Sequence, residues 1–255
     1  MRGERVPVAV IIIARDEADR IGRALASVPW ADQVLVVDSG SADGTPELAA
    51  RAGAEVVAHA WEGYARQKAF AVSLARHDWV LWLDADEEIS PRLQAQITAL
   101  FARGEPGAGR CAAYAVNRRT CYLGRFVRFG GWYPDRKVRL FKRTRARFTG
   151  ELVHEGLEID GPVGLLRGDL WHHSFRDLRH HLAKTQQMAR LWASQQPGRP
   201  VARWETALHP MAKAIKSYYL RAGFLEGWRG LLMAGIASYS VWLKYTLLRE
   251  RHRTG

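Results

Sequence analysis

Two carboxylates one residue apart, Asp84 and Asp86, stand at the end of the apolar run Trp79-Val80-Leu81-Trp82-Leu83. Such a run reads as a buried strand, so the pair emerges from a strand end and not from a solvated helix face. A second acidic cluster has the same setting: Val34-Leu35-Val36-Val37 leads into Asp38-Ser39-Gly40-Ser41-Ala42-Asp43-Gly44. In an open α/β sheet ligands bind outside the carboxyl ends of the strands, so two acidic strand ends point to one site. Carboxylate oxygens are hard ligands, and Mg²⁺ or Mn²⁺ held by them usually arrives with substrate phosphates. The alternative for each acid is a turn residue or a helix N-cap. Asp43, in an Asp-Gly pair, fits that alternative as well as it fits a ligand.

Alternating strands and helices must position these acids. Strands are expected at 6–13, 33–37, 54–58 and 79–83, and helices over 17–27, 45–52, 62–76 and 90–102. Asp43-Gly44-Thr45-Pro46 and Ser90-Pro91 each set a Pro in a first helical turn, which marks a helix start. Short apolar strands alternating with helices mean βαβ units and a mostly parallel sheet. From 110 to 170 the character changes to strands at 113–120, 138–142 and 165–170, joined by Gly-rich and Arg-rich connections. From about Phe175 onward the chain reads as helices, broken at Pro197-Gly198-Arg199-Pro200 and at Ala222-Gly223.

The chain has 255 residues, 47% of them hydrophobic, enough for one large domain with an appendage and too apolar for disorder. A net charge of +12 favours polyanionic partners: nucleic acid, anionic lipid or phosphorylated glycans. No helix-turn-helix, RRM or zinc pattern supports the first, so no nucleic-acid partner is expected. Cys111 and Cys121 show no metal spacing and fit a reducing compartment. Arg15-Asp16-Glu17 directly follows the first apolar run, so a buried strand is expected there and export is not.

Three motifs in order carry a family resemblance. Val8-Ala9-Val10-Ile11-Ile12-Ile13-Ala14-Arg15-Asp16-Glu17, Val36-Val37-Asp38-Ser39-Gly40-Ser41-Ala42-Asp43-Gly44-Thr45 and Leu83-Asp84-Ala85-Asp86-Glu87 resemble the nucleotide-contact turns and the Asp-x-Asp motif of family 2 glycosyltransferases. Gly131-Trp132-Tyr133-Pro134-Asp135-Arg136, Val153-His154-Glu155 and Gly168-Asp169-Leu170-Trp171-His172 resemble a bacterial subgroup that includes lipopolysaccharide core β-glucosyltransferases. Asp16 stands where many members carry Asn.

The resemblance implies an α/β GT-A fold with Rossmann-like nucleotide-diphospho-sugar binding, placed over 1–175; the helical pattern beyond it makes 176–255 a separate region, expected to associate with a membrane. It implies an inverting, metal-dependent transferase using Mg²⁺ or Mn²⁺ and a nucleotide-sugar donor, UDP-glucose first. Asp86 and His172 would hold the metal. Ala14, Arg15 and Glu17 would line the nucleoside pocket, Asp38 would contact the nucleoside, Asp84 the ribose or metal-bound water, and Arg136 the donor phosphates. Glu155 is favoured as general base, with Asp135 and Glu151 as rivals.

The basic stretch from Arg118 to Arg147, interleaved with Tyr122, Phe126, Phe129, Trp132 and Tyr133, suggests a sugar platform with phosphate-binding arginines, half of them plain solvated residues. A phosphorylated, lipid-linked glycan such as inner-core lipopolysaccharide suits it as acceptor. Residues 230–243 form a 14-residue uncharged run bracketed by Arg229 and Lys244. Spanning a bilayer takes about 20 residues. The run therefore reads as an interfacial helix on an anionic leaflet, placing the protein peripherally on the cytoplasmic face of the bacterial inner membrane. The alternative is a helix packed on the core. A polyprenyl-phosphate acceptor is the second enzymatic reading. A processive synthase is disfavoured, because Gln187-Met188-Ala189-Arg190-Leu191-Trp192 is not Gln-x-x-Arg-Trp.

Overall fold

The structure is a computed structural model describing residues 5–104, 110–149, 156–196 and 200–254. It divides into two compact units, one formed by residues 1–118 and 135–172, the other by 119–134 and 173–255.

In the first unit, β1 (Val6–Ala14), β2 (Ala31–Asp38), β3 (Glu55–Ala58) and β4 (Trp79–Asp84) pair in parallel in the order β3-β2-β1-β4. Successive β1 side chains feed opposite cores: Val8, Val10, Ile12 and Ala14 one, Ala9 and Ile11 the other. A strand buried on both faces needs this continuous apolar run. Helices α1 (Ile21–Ala26), α2 (Thr45–Arg51), α3 (Tyr64–Ser73) and α4 (Pro91–Ala102) flank the sheet. Ser90 caps α4 by accepting from the Leu93 amide at 3.2 Å. The expected helix over 17–27 begins only at Ile21, because Asp16 adopts a left-handed φ of 53° and the chain turns before it can wind.

Beyond β4 the sheet becomes antiparallel. β8 (Asp135–Lys142) runs against β4, and β6 (Ala113–Tyr122) runs against β8. β11 (Val163–His172) and the short β5 (Glu87–Ile89) complete the order. Gly168 is needed where β11 crosses α4, since a Cβ there would lie 2.4 Å from the Leu93 Cα. β5 and the two-stranded sheet of β9 (Ala146–Thr149) and β10 (Gly156–Ile159) are short segments without the alternation that would announce them in sequence.

The second unit pairs the end of β6 with β7 (Arg125–Phe126) and adds α5 (Leu178–Ser194), α6 (Glu205–Ile215) and α7 (Trp228–Thr254). Tyr122, Val127 and Met233 form its fully buried centre. α7 packs on α5 and α6, with His209 stacked on Tyr245 at 4.8 Å and the Ser238 hydroxyl donating to the Pro210 carbonyl at 2.9 Å. Within α7, the 23 residues Trp228–Glu250 are long and apolar enough to cross a membrane by length and composition.

Candidate active site

Register brings the two acidic strand ends to one sheet edge. β1 lies between β2 and β4, with Ala14 opposite Asp38 and Ile13 opposite Asp84. Asp38 is buried, and its carboxylate folds its own turn. Oδ2 accepts from the Gly40 and Ser41 amides at 2.9 Å each, and Oδ1 accepts from the Ser41 hydroxyl at 2.5 Å. The Asp16 turn is tied to the same loop. Its amide donates to Ser41 Oγ at 2.9 Å, and its Oδ1 accepts from the Ala42 amide at 2.9 Å. A left-handed backbone with a short side chain accepting a local amide suits Asp and Asn alike. Asp43 serves as a turn and cap residue, accepting from the Ala18 amide and from the Thr45 amide and hydroxyl. Those bonds hold its carboxyl below the usual range, the Thr45 hydroxyl foremost. Arg15 is exposed, while Glu17 receives two 2.6 Å hydrogen bonds from Arg20.

Behind the Asp-x-Asp motif sits a charge cluster built by the antiparallel half. Because β8 runs against β4, its first residues arrive at the end of β4 that carries Asp84. Arg139 Nη2 donates to Asp84 Oδ2 at 2.7 Å and to Glu87 Oε1 at 2.5 Å. Arg118, at the β6 position paired with Asp135, donates to Asp135 Oδ2 from Nε at 2.9 Å and from Nη2 at 2.6 Å, and lies 3.5 Å from Glu87 Oε1. Lys137 Nζ approaches Asp135 Oδ1 at 3.4 Å. Trp82 donates from its indole to Asp84 Oδ1 at 2.9 Å, with Lys68 Nζ 3.4 Å and the Arg139 guanidinium 4.1 Å from its ring centroid.

Burial by itself would raise the Asp84 carboxyl, but Arg139 and then Lys68 outweigh it and hold the group well below the carboxylate range. Burial raises Glu87, with the neighbouring Asp84 charge adding to it against the pull of Arg139. One arginine thus keeps Asp84 ionised while Glu87, deeper, is the harder of the two to charge.

Asp86 is the second carboxylate of the motif. It meets Arg20 Nη1 at 3.3 Å and His172 Nε2 at 3.5 Å. His172 arrives through the β11–β5 pairing, which sets it opposite Glu87. Burial again opposes ionisation of Asp86, and the His172 hydrogen bond and charge overcome it. The buried His172 Nδ1 has no hydrogen-bond partner among the described residues. Among those residues no three His, Cys, Asp or Glu side chains are grouped to hold a metal. A carboxylate and an imidazole nevertheless fit a Mg²⁺ or Mn²⁺ ion whose remaining ligands are phosphate and water, the usual way Mg²⁺ is held.

A cleft of about 310 Å³ opens beside the motif, lined by Asp84, Arg118, Arg136, Lys137, Arg139, Trp82, Phe148 and Leu157 among others. Four cations against one carboxylate suit a phosphorylated anion. The structure therefore gathers Ala14, Asp38, Asp84, Asp86, Asp135, Arg136 and His172 within one unit. Glu155, Glu151 and His154 lie outside the described residues.

Sequence reading assigned no role to Lys68, Arg20, Glu87 or Arg139, although Glu87 directly follows the motif and Arg139 lies in the basic stretch. Nothing local separates a cluster-forming arginine from its solvated neighbours. The expected aromatic sugar platform is corrected for Tyr122 and Trp132. Tyr122 is fully buried and Trp132 packs edge-on against it at 5.1 Å, in the core of the second unit.

The family model described as Glycosyl transferase family 2 matches residues 9–156. An uncharacterized glycosyltransferase of Rickettsia typhi is 30% identical over 260 residues, 95% of this chain and 87% of that protein. The lipopolysaccharide core biosynthesis glycosyltransferase LpsC of Rhizobium meliloti is 26% identical over 264 residues, 95% of this chain and 94% of that one. The solved structure of mannosyl-3-phosphoglycerate synthase from Rubrobacter xylanophilus aligns with a TM-score of 0.46 at 21% identity, over 76% of this chain and 79% of that one. The mixed sheet, parallel at its acid-bearing edge and followed by C-terminal helices, is a GT-A fold. With the matched segment covering more than half of the sequence and every strand of the parallel edge, this chain belongs to glycosyl transferase family 2.

Proposed function

We propose that the chain transfers glucose from UDP-glucose to a phosphorylated lipid-linked glycan, such as the inner core of lipopolysaccharide, inverting the anomeric carbon. The observation that carries this is the cation-lined cleft beside Asp84, at the edge where Asp38 and Ala14 also end. Asp38 and Ala14 would receive the nucleoside, with Arg15 and Glu17 at the rim. Arg136 and Lys137 would take phosphate oxygens, and Asp84, fixed by Trp82 and Arg139, would accept from the ribose or from metal-bound water. Asp86 and His172 would hold Mg²⁺ or Mn²⁺, which when bound neutralises charge on the leaving diphosphate.

In the transfer, the acceptor oxygen bonds to the anomeric carbon as the bond to the diphosphate breaks, and the hydroxyl proton passes to a carboxylate base. Glu155 is the assigned base, supported by Gly156, its neighbour in sequence, lining the cleft. Glu151 and Asp135 are the rivals, the oxygens of Asp135 being already engaged by Arg118 and Lys137. The role of LpsC in lipopolysaccharide core synthesis supports the acceptor class. The transferase chemistry is assigned to 1–175, and 176–255 to peripheral association with the cytoplasmic face of the inner membrane. A polyprenyl-phosphate acceptor is a second reading, favoured by the length of α7.

Calorimetry of UDP and UDP-glucose binding, with Mg²⁺ or Mn²⁺ and after chelation, tests the donor half. Metal-dependent binding is expected. Absence of binding in either metal would overturn the assignment.

A further inference from the structure

The second unit exposes large apolar side chains in an ordered array. On α6 and the single π-helical turn that extends it (Lys216–Leu220), Trp204, Leu208, Met211, Ile215 and Tyr219 recur at spacings of three and four, which aligns them on one helix face. All five are between 46% and 64% exposed. The chain then turns, and Leu220, Phe224, Leu225, Trp228 and Leu231 are 47–78% exposed. Of the nineteen exposed large apolar side chains among the described residues, eleven fall between Trp204 and Trp242, so this is a concentration and not the scatter normal on a surface.

The array rests on a well-anchored backbone. Glu226 is 3% exposed and accepts from the Arg128 and Phe129 amides at 2.7 and 3.1 Å. The Ser217 hydroxyl donates to the Gly130 carbonyl at 3.0 Å, and the Gly130 amide to the Arg221 carbonyl at 2.8 Å. Gly230 packs so tightly on Gly223 that a Cβ would meet its carbonyl oxygen at 1.8 Å. Polar groups are thus turned inward and apolar ones outward. Charge divides in the same sense. Between 203 and 231 the acids are Glu205 and Glu226, with side chains 14% and 3% exposed, while Arg203, Lys213, Lys216 and Arg221 are exposed. Within the uncharged run of α7, Met233, Ala234 and Ile236 are buried, while Leu231 at its start and Trp242 near its end are exposed.

We propose that the face formed by α6 and the turn into α7, and not the buried Met233, Ala234 and Ile236 of α7, is a docking surface for an anionic lipid bilayer. Its apolar side chains enter the interface while the surrounding cations contact acidic headgroups. The proposal rests on the peripheral-membrane reading above and names the surface that performs it.

The test is co-sedimentation of the full chain with vesicles of phosphatidylcholine alone and of phosphatidylcholine mixed with phosphatidylglycerol. The wild-type chain should pellet with the mixed vesicles. Ile215→Glu/Leu220→Glu should weaken partitioning about tenfold or more, while Leu165→Glu, at a site in the first unit about as exposed as Ile215, should not. Lys213→Gln/Lys216→Gln/Arg221→Gln should lose roughly fivefold per cation on the mixed vesicles and little on the neutral ones. Circular dichroism checks folding, and Leu220→Ser replaces the double variant if the glutamates disturb it. Failure of the wild-type chain to bind either vesicle would overturn the membrane reading itself. Wild-type binding left unchanged by the apolar and charge variants would overturn this surface alone. A change in lipid-free sedimentation mass on Ile215→Glu/Leu220→Glu would show a contact between copies of the chain and overturn it too.

Discussion

In the first unit the buried Glu87 and Arg139 meet the half-buried Asp84 in a charge cluster, whereas the second buries a neutral pair, Tyr122 and His181, joined at 2.9 Å. The first arrangement is expensive to desolvate and persists only where oppositely charged groups meet in good geometry. Burial, with Lys184 and His180 adding like charge, pushes His181 down to about 4, so it is carried neutral. Outside the cores the contrast continues. The first unit surrounds its cleft with cations, while the second presents an apolar face.

The largest effect should come from breaking the buried cluster. Arg139→Met leaves Asp84 and Glu87 without their shared partner and should destabilise the protein by about 3–5 kcal/mol in urea unfolding. Adding Glu87→Gln should restore part of that loss. If Arg139→Met unfolds like wild type, the cluster is not what holds this edge.

Asp86→Ala should leave the fold intact and lower transfer by roughly 10³-fold, because it removes a ligand for the ion that neutralises the leaving group. Asp84→Ala should come close to it. Donor turnover by Asp86→Ala at the wild-type rate would remove Asp86 from the metal site. Glu155→Gln keeps the shape of the side chain and removes the base. The expected signature is unchanged UDP affinity with turnover down about 10²-fold. Near-normal turnover would move the role to Glu151 or Asp135.

The neutral centre of the second unit gives the smallest effect, through pH. His181 takes a proton near its ordinary 6.5 in the unfolded chain but only near 4 in the fold. Between those values the unfolded state binds the extra proton. Stability should therefore fall as pH drops through that window, by on the order of 2 kcal/mol. Melting temperatures from pH 7 to 4 would show the slope, and His181→Gln should flatten it. An unchanged slope would mean other groups carry it.

Much of the first unit was legible because its signals are local. Continuous apolar runs ending in Asp38 and Asp84 mark strands buried on both faces, and Ser90-Pro91 marks a helix start through cap chemistry carried by adjacent residues. The acids at the two strand ends were legible for the same reason. Lys68, Arg20, Glu87 and Arg139 were not, since each acquires its role from a partner far along the chain, as Arg139 does from Asp84. Tyr122 and Trp132 were misread because alternation of aromatic and basic residues looks alike whether the aromatics face a sugar or a core.

By itself the sequence determined the strand–helix alternation, the acids at the two strand ends, the family and the excess of positive charge. These follow from side-chain period and residue type, which act over a few residues. Tertiary structure alone decided that β8 runs against β4, delivering Arg139 to Asp84, and that β11 pairs with β5, delivering His172 toward Asp86. It also decided that Met233, Ala234 and Ile236 of α7 are buried while α6 shows its apolar face to solvent. Both outcomes depend on which distant segments pack together, and burial is a property of that packing, not of the residues taken singly.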